Sequence, residues 1–259
     1  QTVRRLIRAL GQTGAAVLSG VPLTEDSVSE VARRLGPVQS QIYGDVFDVV
    51  ATPTPTNIAY SSHSLPPHMD LCYYESPPGL QLLHCRSFGE QTRGGESLLI
   101  DGFGAAAALR ASAPAAFDVL SRVPATFVKD HSHRDVPVLL SYQRPHIALC
   151  PRGEIVGFFW SPPFEGPLCA PPQDIPLYYE AYRALDAAIA RAPRWEQRLQ
   201  PGELLVFNNR RMLHGRNAIV PPMPGADAAG PGMAPRRLRG CYVNIDDFRN
   251  RHNPEPRRE

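Results

Sequence analysis

No apolar run in this sequence approaches the roughly 20 residues that a bilayer-spanning helix needs, so a membrane span is not expected. The opening residues, Gln1-Thr2-Val3-Arg4-Arg5, hold no apolar stretch long enough for a secretory signal. Cysteine is scarce: the five (Cys72, Cys85, Cys150, Cys169, Cys241) are odd in number, widely spaced and form no Cys-x-x-Cys pair. That argues against a disulfide scaffold or a thiolate zinc cluster and fits reduced thiols in a cytoplasm or an organelle matrix. Neither sign of charge dominates, with 27 Lys plus Arg against 25 Asp plus Glu. So balanced a chain offers no footprint for a polyanion, and nucleic acid is not an expected partner. An initiator methionine is also missing, which fits a segment of a longer polypeptide.

Proline, by contrast, is plentiful: 28 of 259 residues, about twice its usual share. Proline suits neither helix interiors nor central strands, so short strands joined by long connections are expected. Val3, Leu6, Ile7 and Leu10 mark one face of a short helix ended by Gly11. Ala15-Ala16-Val17-Leu18 reads as a buried strand, and Thr24 as the cap of a second helix with Val28, Val31, Ala32 and Leu35 on its apolar face. Beyond Pro37, β runs dominate: 46–50, 80–84, 97–100, 125–128, 137–140, 155–159, 203–207 and 238–245. Two helical patches interrupt them, 105–123 (broken by Pro114) and 176–190, where Tyr178, Tyr182, Leu185 and Ile189 form a stripe. Irregular strands with few helices argue against a Rossmann sheet and favour a jelly roll decorated with helices. The Pro/Gly/Ala-rich stretch 221–235 is expected to be a long loop.

Of eight histidines, His68 is the most informative. It lies in Pro66-Pro67-His68-Met69-Asp70, and in a strand residues i and i+2 share a face, so His68 and Asp70 can bind one ion together. A second histidine would complete a two-His-one-carboxylate face that leaves three positions open on Fe(II). The triplet alone is weak, because such spacings arise by chance. His131-Ser132-His133 with Asp135 reads as a solvated turn. His63 and His146 read as surface groups, His84 as a core histidine and His252 as part of a charged tail.

His214 follows a strand and turn, in Leu213-His214-Gly215-Arg216. Past the 221–235 loop comes Arg236-Arg237-Leu238-Arg239. If that loop folds back antiparallel, Arg236 or a neighbour arrives near His214, and a guanidinium fork binds a carboxylate through two parallel hydrogen bonds.

Several ordered phrases together are more specific: Asn57-Ile58-Ala59-Tyr60, His68-Met69-Asp70, Pro77-Pro78-Gly79-Leu80-Gln81-Leu82-Leu83-His84-Cys85, Gly94-Gly95-Glu96-Ser97, Asp101-Gly102-Phe103 and Leu213-His214-Gly215-Arg216. Through them the chain resembles the γ-butyrobetaine and trimethyllysine hydroxylases, within the taurine-dioxygenase-like Fe(II)/2-oxoglutarate oxygenases. The resemblance implies a single oxygenase domain over 1–259 with a distorted double-stranded β-helix fold. It implies His68, Asp70 and His214 as iron ligands. Arg236 falls at the clamp for the distal carboxylate of 2-oxoglutarate, with Ser97 as a hydroxyl partner and Arg239 as the fallback if the register slips. No Cys/His cluster matches the N-terminal zinc domain that some relatives carry.

The implied reaction is hydroxylation of a small trimethylammonium substrate, with O2 consumed and succinate and CO2 released. Tyr43, Phe47, Tyr60 and Tyr242 match an aromatic cage for such a cation. Asn57 matches an amide partner for the substrate's other end, whereas Phe158-Phe159-Trp160-Ser161-Pro162-Pro163 replaces an Asn-rich segment and argues against γ-butyrobetaine itself. The alternative keeps iron and 2-oxoglutarate and changes the substrate to a sulfonate, phosphonate or amino acid. A silent binding module and a zinc hydrolase fit the motifs less well. A homodimer is left open.

Overall fold

The computed structural model describes residues 2–51, 58–133, 136–220 and 236–252. The expected loop at 221–235, Asn57 and Asp135 lie outside the described residues. Among the described residues, no helix is long and apolar enough to cross a membrane.

The chain opens with α1 (Thr2–Gln12), β1 (Ala15–Leu18) and α2 (Ser27–Leu35). Asp26, not Thr24, takes the N-cap position of α2, and the Thr24 hydroxyl lies 2.6 Å from that of Ser27. Strands β2 (Val46–Val50), β3 (Leu65–His68), β4 (Leu80–Ser87), β5 (Arg93–Gly94) and β6 (Ser97–Asp101) follow, then helices α3 (Gly102–Ser112) and α4 (Pro114–Arg122). Pro114 starts α4, where its missing N–H costs nothing. Next come β7 (Ala125–Asp130), β8 (Leu139–Arg144), β9 (Ile147–Leu149) and β10 (Ile155–Phe158). The chain continues through α5 (Asp174–Arg191), β11 (Arg194–Gln197), β12 (Leu204–Asn208), β13 (Met212–Arg216), β14 (Ile219–Val220), β15 (Arg237–Val243) and α6 (Ile245–His252).

Two antiparallel sheets dominate and form the distorted double-stranded β-helix. The larger has the order β1-β12-β4-β15-β2 and the smaller β11-β6-β13-β3. Strand β4 is buried along most of its length because β12 and β15 flank it and α2 packs across it. On its far side, Leu83 of β4, Leu205 of β12 and Leu238 of β15 face the space between the sheets. Helix α5 lies on α3 and α4, burying Tyr178, Ala181, Leu185, Ala188 and Ile189 at the expected helical spacing. Each fully buried leucine contributes on the order of 1.5–3 kcal/mol, and Leu120 and Leu185 at this contact are completely enclosed.

Several elements depart from the sequence expectation, among them the end of the last strand and one edge strand. The run 238–245 ends as a strand at Val243, and Ile245 begins α6, with the Asn244 side chain accepting from the Asp246 amide. The short strand β11 was not expected; it pairs with β6 through Trp195 opposite Leu99.

Candidate active site

The metal-ligand candidates converge because β13 pairs with β3 in a register that sets His214 opposite His68. Their rings lie 4.3 Å apart, centroid to centroid. Asp70 is not in the strand as the i, i+2 argument assumed. Strand β3 ends at His68, and the chain turns at once, with Leu71 in the left-handed region at φ 61°. That turn aims the Asp70 carboxylate between the two imidazoles: Oδ1 is 3.2 Å from His68 Nε2 and Oδ2 is 3.6 Å from His214 Nε2. All three candidate donor atoms lie within 4.8 Å of one another, and this is the one metal-capable cluster among the described residues.

Neighbours fix the geometry. His68 Nδ1 lies 2.9 Å from the Pro66 carbonyl, which leaves Nε2 free to face the cluster. The Met69 side chain is completely buried in the core and does not line the cavity, and its amide donates to the Trp160 carbonyl at 2.7 Å. Asn209, fully buried, grips the Asp70 backbone from both sides: its Oδ1 accepts from the Asp70 amide and its Nδ2 donates to the Asp70 carbonyl, each at 3.1 Å. Nothing in the Asn208-Asn209 pair itself signalled this grip, which spans 139 residues of sequence.

Burial pushes the Asp70 carboxyl up, but the two imidazoles and a hydrogen bond from Tyr242 outweigh it and hold the group well below the usual carboxylate range. Burial, with His68 nearby, drives His214 down to about 4. His68 also suffers from burial, yet its bond to Asp70 raises it overall. At neutral pH the cluster therefore presents an ionised carboxylate and a neutral His214, both able to donate lone pairs.

Beside the cluster, Arg236 and Ser97 come together as expected, with Arg236 Nη2 3.4 Å from Ser97 Oγ. Arg236 is nearly inaccessible, and its Nε has no partner among the described residues. Burial, and the adjacent Arg216, push the Arg236 guanidinium down to about 9. Arg239 does not serve as a clamp. Side chains alternate across β15, so Leu238 faces the cavity while Arg239 turns outward and pairs with Asp48 at 3.0 Å and Glu25 at 3.1 Å.

Tyr43, Phe47, Tyr60 and Tyr242 all line the cavity that holds the cluster. Two aromatics that the sequence reading missed, Tyr73 and Phe164, line it too. Tyr73 sits just past the metal-ligand triplet, where spacing gives no sign of which way it points; its hydroxyl is 3.4 Å from that of Tyr43. Phe47 stacks on Tyr242 with centroids 5.2 Å apart. The segment Phe158–Ser161 is buried and does not reach the cavity. His146 is no surface group: it is fully buried, 2.7 Å from the Phe159 carbonyl through Nδ1 and 2.8 Å from the Tyr178 hydroxyl through Nε2. His63 is exposed as expected, and His84 is buried in β4.

The model of the taurine catabolism dioxygenase TauD, TfdA family matches residues 1–242. A γ-butyrobetaine dioxygenase of Pseudomonas sp. (strain AK-1) is 34% identical over 252 residues, covering 96% of this chain and 61% of that protein. The human mitochondrial trimethyllysine dioxygenase is 29% identical over 248 residues, covering 92% and 53%. The chain thus spans a little over half the length of these curated relatives. A solved structure of asparagine oxygenase with Fe(II), 3-hydroxyasparagine and succinate superposes with a TM-score of 0.69 at 19% identity, covering 94% of this chain and 79% of that one. At that identity the likeness supports the fold.

Proposed function

The chain belongs to the taurine catabolism dioxygenase TauD, TfdA family, and from that premise we propose that it is an Fe(II)- and 2-oxoglutarate-dependent dioxygenase hydroxylating a C–H bond of a small trimethylammonium compound. The proposal treats residues 1–259 as one oxygenase domain. The observation that carries it is that one cavity holds the His68–Asp70–His214 cluster, the buried Arg236 with Ser97, and an aromatic wall.

The cluster fits a first-row metal ion. Donors held about 2.1 Å from one ion at right angles lie about 3 Å apart, and the imidazole–carboxylate separations of 3.2 and 3.6 Å are near that spacing. Two imidazoles and one carboxylate, with no thiolate among the described residues lining the cavity, would suit iron and would leave room on it for further ligands. The unpartnered Nε of Arg236 fits an anion as well, since a buried guanidinium donor otherwise carries the full cost of desolvation.

Fe(II) with 2-oxoglutarate supplies the oxidising chemistry when bound: O2 and 2-oxoglutarate are consumed, succinate and CO2 released, and one oxygen atom placed in the substrate C–H bond. The chain's own part is orientation and exclusion of water. His68, Asp70 and His214 fix one coordination face. Arg236 and Ser97 hold the far carboxylate of the co-substrate. Ring faces of Tyr43, Phe47, Tyr60 and Tyr242, with Tyr73 beside them, hold a cation that cannot donate hydrogen bonds, each contributing on the order of 0.5–2 kcal/mol.

The test is succinate formation from 2-oxoglutarate over a panel of trimethylammonium compounds, sulfonates, phosphonates and amino acids, with the product examined for one added oxygen. Stimulation by a trimethylammonium compound, abolished in His68→Ala and Asp70→Ala, is expected. Stimulation confined to another class overturns the substrate assignment, and full activity in His68→Ala overturns the metal assignment.

A further inference from the structure

Arg216 is as buried as Arg236, at 3% exposure, and it is only partly satisfied. Its Nη2 donates to the carbonyls of Ser61 and His63, each at 2.8 Å. Its Nε and Nη1 are buried with no partner among the described residues. The same cavity is lined by Arg216, Arg236 and Ser97. The strand register explains the meeting: Arg216 on β13 lies opposite Ser97 on β6, whose hydroxyl faces Arg236. Two guanidiniums thus stand near each other with free donors, and the carboxylate among the described residues lining this cavity, Asp70, is engaged with the imidazoles.

The carbonyls that Arg216 holds lie at a joint of the site. Ser61 directly follows Tyr60 of the aromatic wall, and His63 stands two residues before β3, which ends at His68. The Ile219 amide, donating to the Ser62 carbonyl at 2.8 Å, holds the same turn from a neighbouring strand. One side chain therefore bridges the anion-facing end of the cavity and the segment that carries Tyr60.

We propose that Arg216 is a positioning residue that couples co-substrate binding to the substrate wall: a carboxylate shared with Arg236 fixes its guanidinium, which in turn orders residues 60–63. This rests on the reading of the cavity as a 2-oxoglutarate site. An empty cavity leaves two like charges facing each other and a guanidinium with free donors, conditions that loosen its hold on the turn. A bound dicarboxylate removes the repulsion and satisfies the free donors. The wall around Tyr60 then tightens before the substrate arrives, a population shift driven by the co-substrate's differential contacts.

The experiment is hydrogen–deuterium exchange over residues 58–64 in nickel-loaded, catalytically inert protein, with and without saturating 2-oxoglutarate, alongside calorimetric titration of 2-oxoglutarate. In the wild type, 2-oxoglutarate should slow exchange there several-fold. Arg216→Met should bind 2-oxoglutarate roughly tenfold more weakly and show no slowing even at saturation. Arg216→Lys, which keeps the charge but cannot hold both carbonyls and an anion, should recover affinity without recovering the slowing. If Arg216 merely braces the fold, its replacement raises exchange by the same factor in both states and leaves the slowing by 2-oxoglutarate intact, and that result overturns the proposal. If Arg216→Met does not fold, the lysine variant carries the same comparison. Arg236→Met separates the two readings. Wild-type affinity in that variant sinks the 2-oxoglutarate site itself, whereas lost affinity there with wild-type slowing in Arg216→Met sinks the coupling alone.

Discussion

The phenolic hydroxyl of Tyr242 donates a hydrogen bond to Oδ2 of Asp70 at 2.7 Å. It reaches across from β15 of the larger sheet to a turn that follows β3 of the smaller one. Tyr242 therefore does more than offer a ring face: it sets the rotation of the carboxylate that the two imidazoles flank. Outer partners of this kind change metal affinity by roughly 10–100-fold when removed. Tyr242→Phe should thus bind Fe(II) or Co(II) about tenfold more weakly by titration, with the substrate KM little changed once the metal is saturating. Wild-type metal affinity in the phenylalanine variant would show that Asp70 is oriented without it.

Because of that bond, Tyr242→Ala is a poor test of the aromatic wall, and Phe47 and Tyr73 serve better. Loss of one ring should raise KM for the proposed trimethylammonium substrate about 2–30-fold, following 0.5–2 kcal/mol per ring. The value of kcat should change far less, since neither is one of the three candidate metal ligands. A neutral isostere with a tert-butyl group separates attraction from packing. In the wild type it should bind more weakly than the cation, and in Phe47→Ala the two should bind more nearly alike. Equal losses for cation and isostere in the variant would assign the wall to packing alone.

Gly240 makes the position of Phe47 possible. The two residues face each other in the β15–β2 register, and a Cβ on Gly240 would lie 2.6 Å from the Phe47 ring. Gly240→Ala must push the ring off its stack with Tyr242, at a cost of about 1–3 kcal/mol of overpacking. Reduced stability together with a raised substrate KM is expected. Gly240→Ala should cost less in a Phe47→Ala background, because the closest contact is then gone and only Leu83, at 3.1 Å, must give way. Additive losses in the double variant would place the damage elsewhere.

How much of this was legible beforehand depends on the range of the interaction. His68, Asp70 and His214 sit in short phrases, so their identity could be read, but the geometry that unites them could not. The Asp70 carboxylate is aimed by a turn at Leu71 and by Asn209, far along the chain. Arg236 and Arg239 are both near the right place in sequence, and the alternation of β15 decides between them. His146 sits beside a proline in a polar stretch, and its burial comes from α5 laying Tyr178 against it. Helix α6 escaped notice because its residues read as a charged tail, and Asn244 starts it through a side-chain bond that hydrophobic periodicity does not register.

Glu165, next to Phe164 of the aromatic wall, predicts a stability change with pH that owes nothing to a metal. Burial pushes its carboxyl up to about 7, with a hydrogen bond from Tyr182 offsetting only part of the effect. Its Oε1 is enclosed without a partner among the described residues. In the unfolded chain the group titrates near its ordinary 4.5. Below that pH both states are protonated and the native state carries no penalty. As pH rises from about 4.5 to 7 the unfolded chain loses its proton while the native state keeps one, so stability falls by up to about 1.4 kcal/mol per pH unit. The loss is complete above the native value, with an upper bound of about 3 kcal/mol. Glu165→Gln removes the ionisation, so its denaturation midpoint should match the wild type near pH 4 and exceed it at pH 8. Parallel pH profiles for the two proteins would mean that Glu165 ionises in the native state as easily as in water.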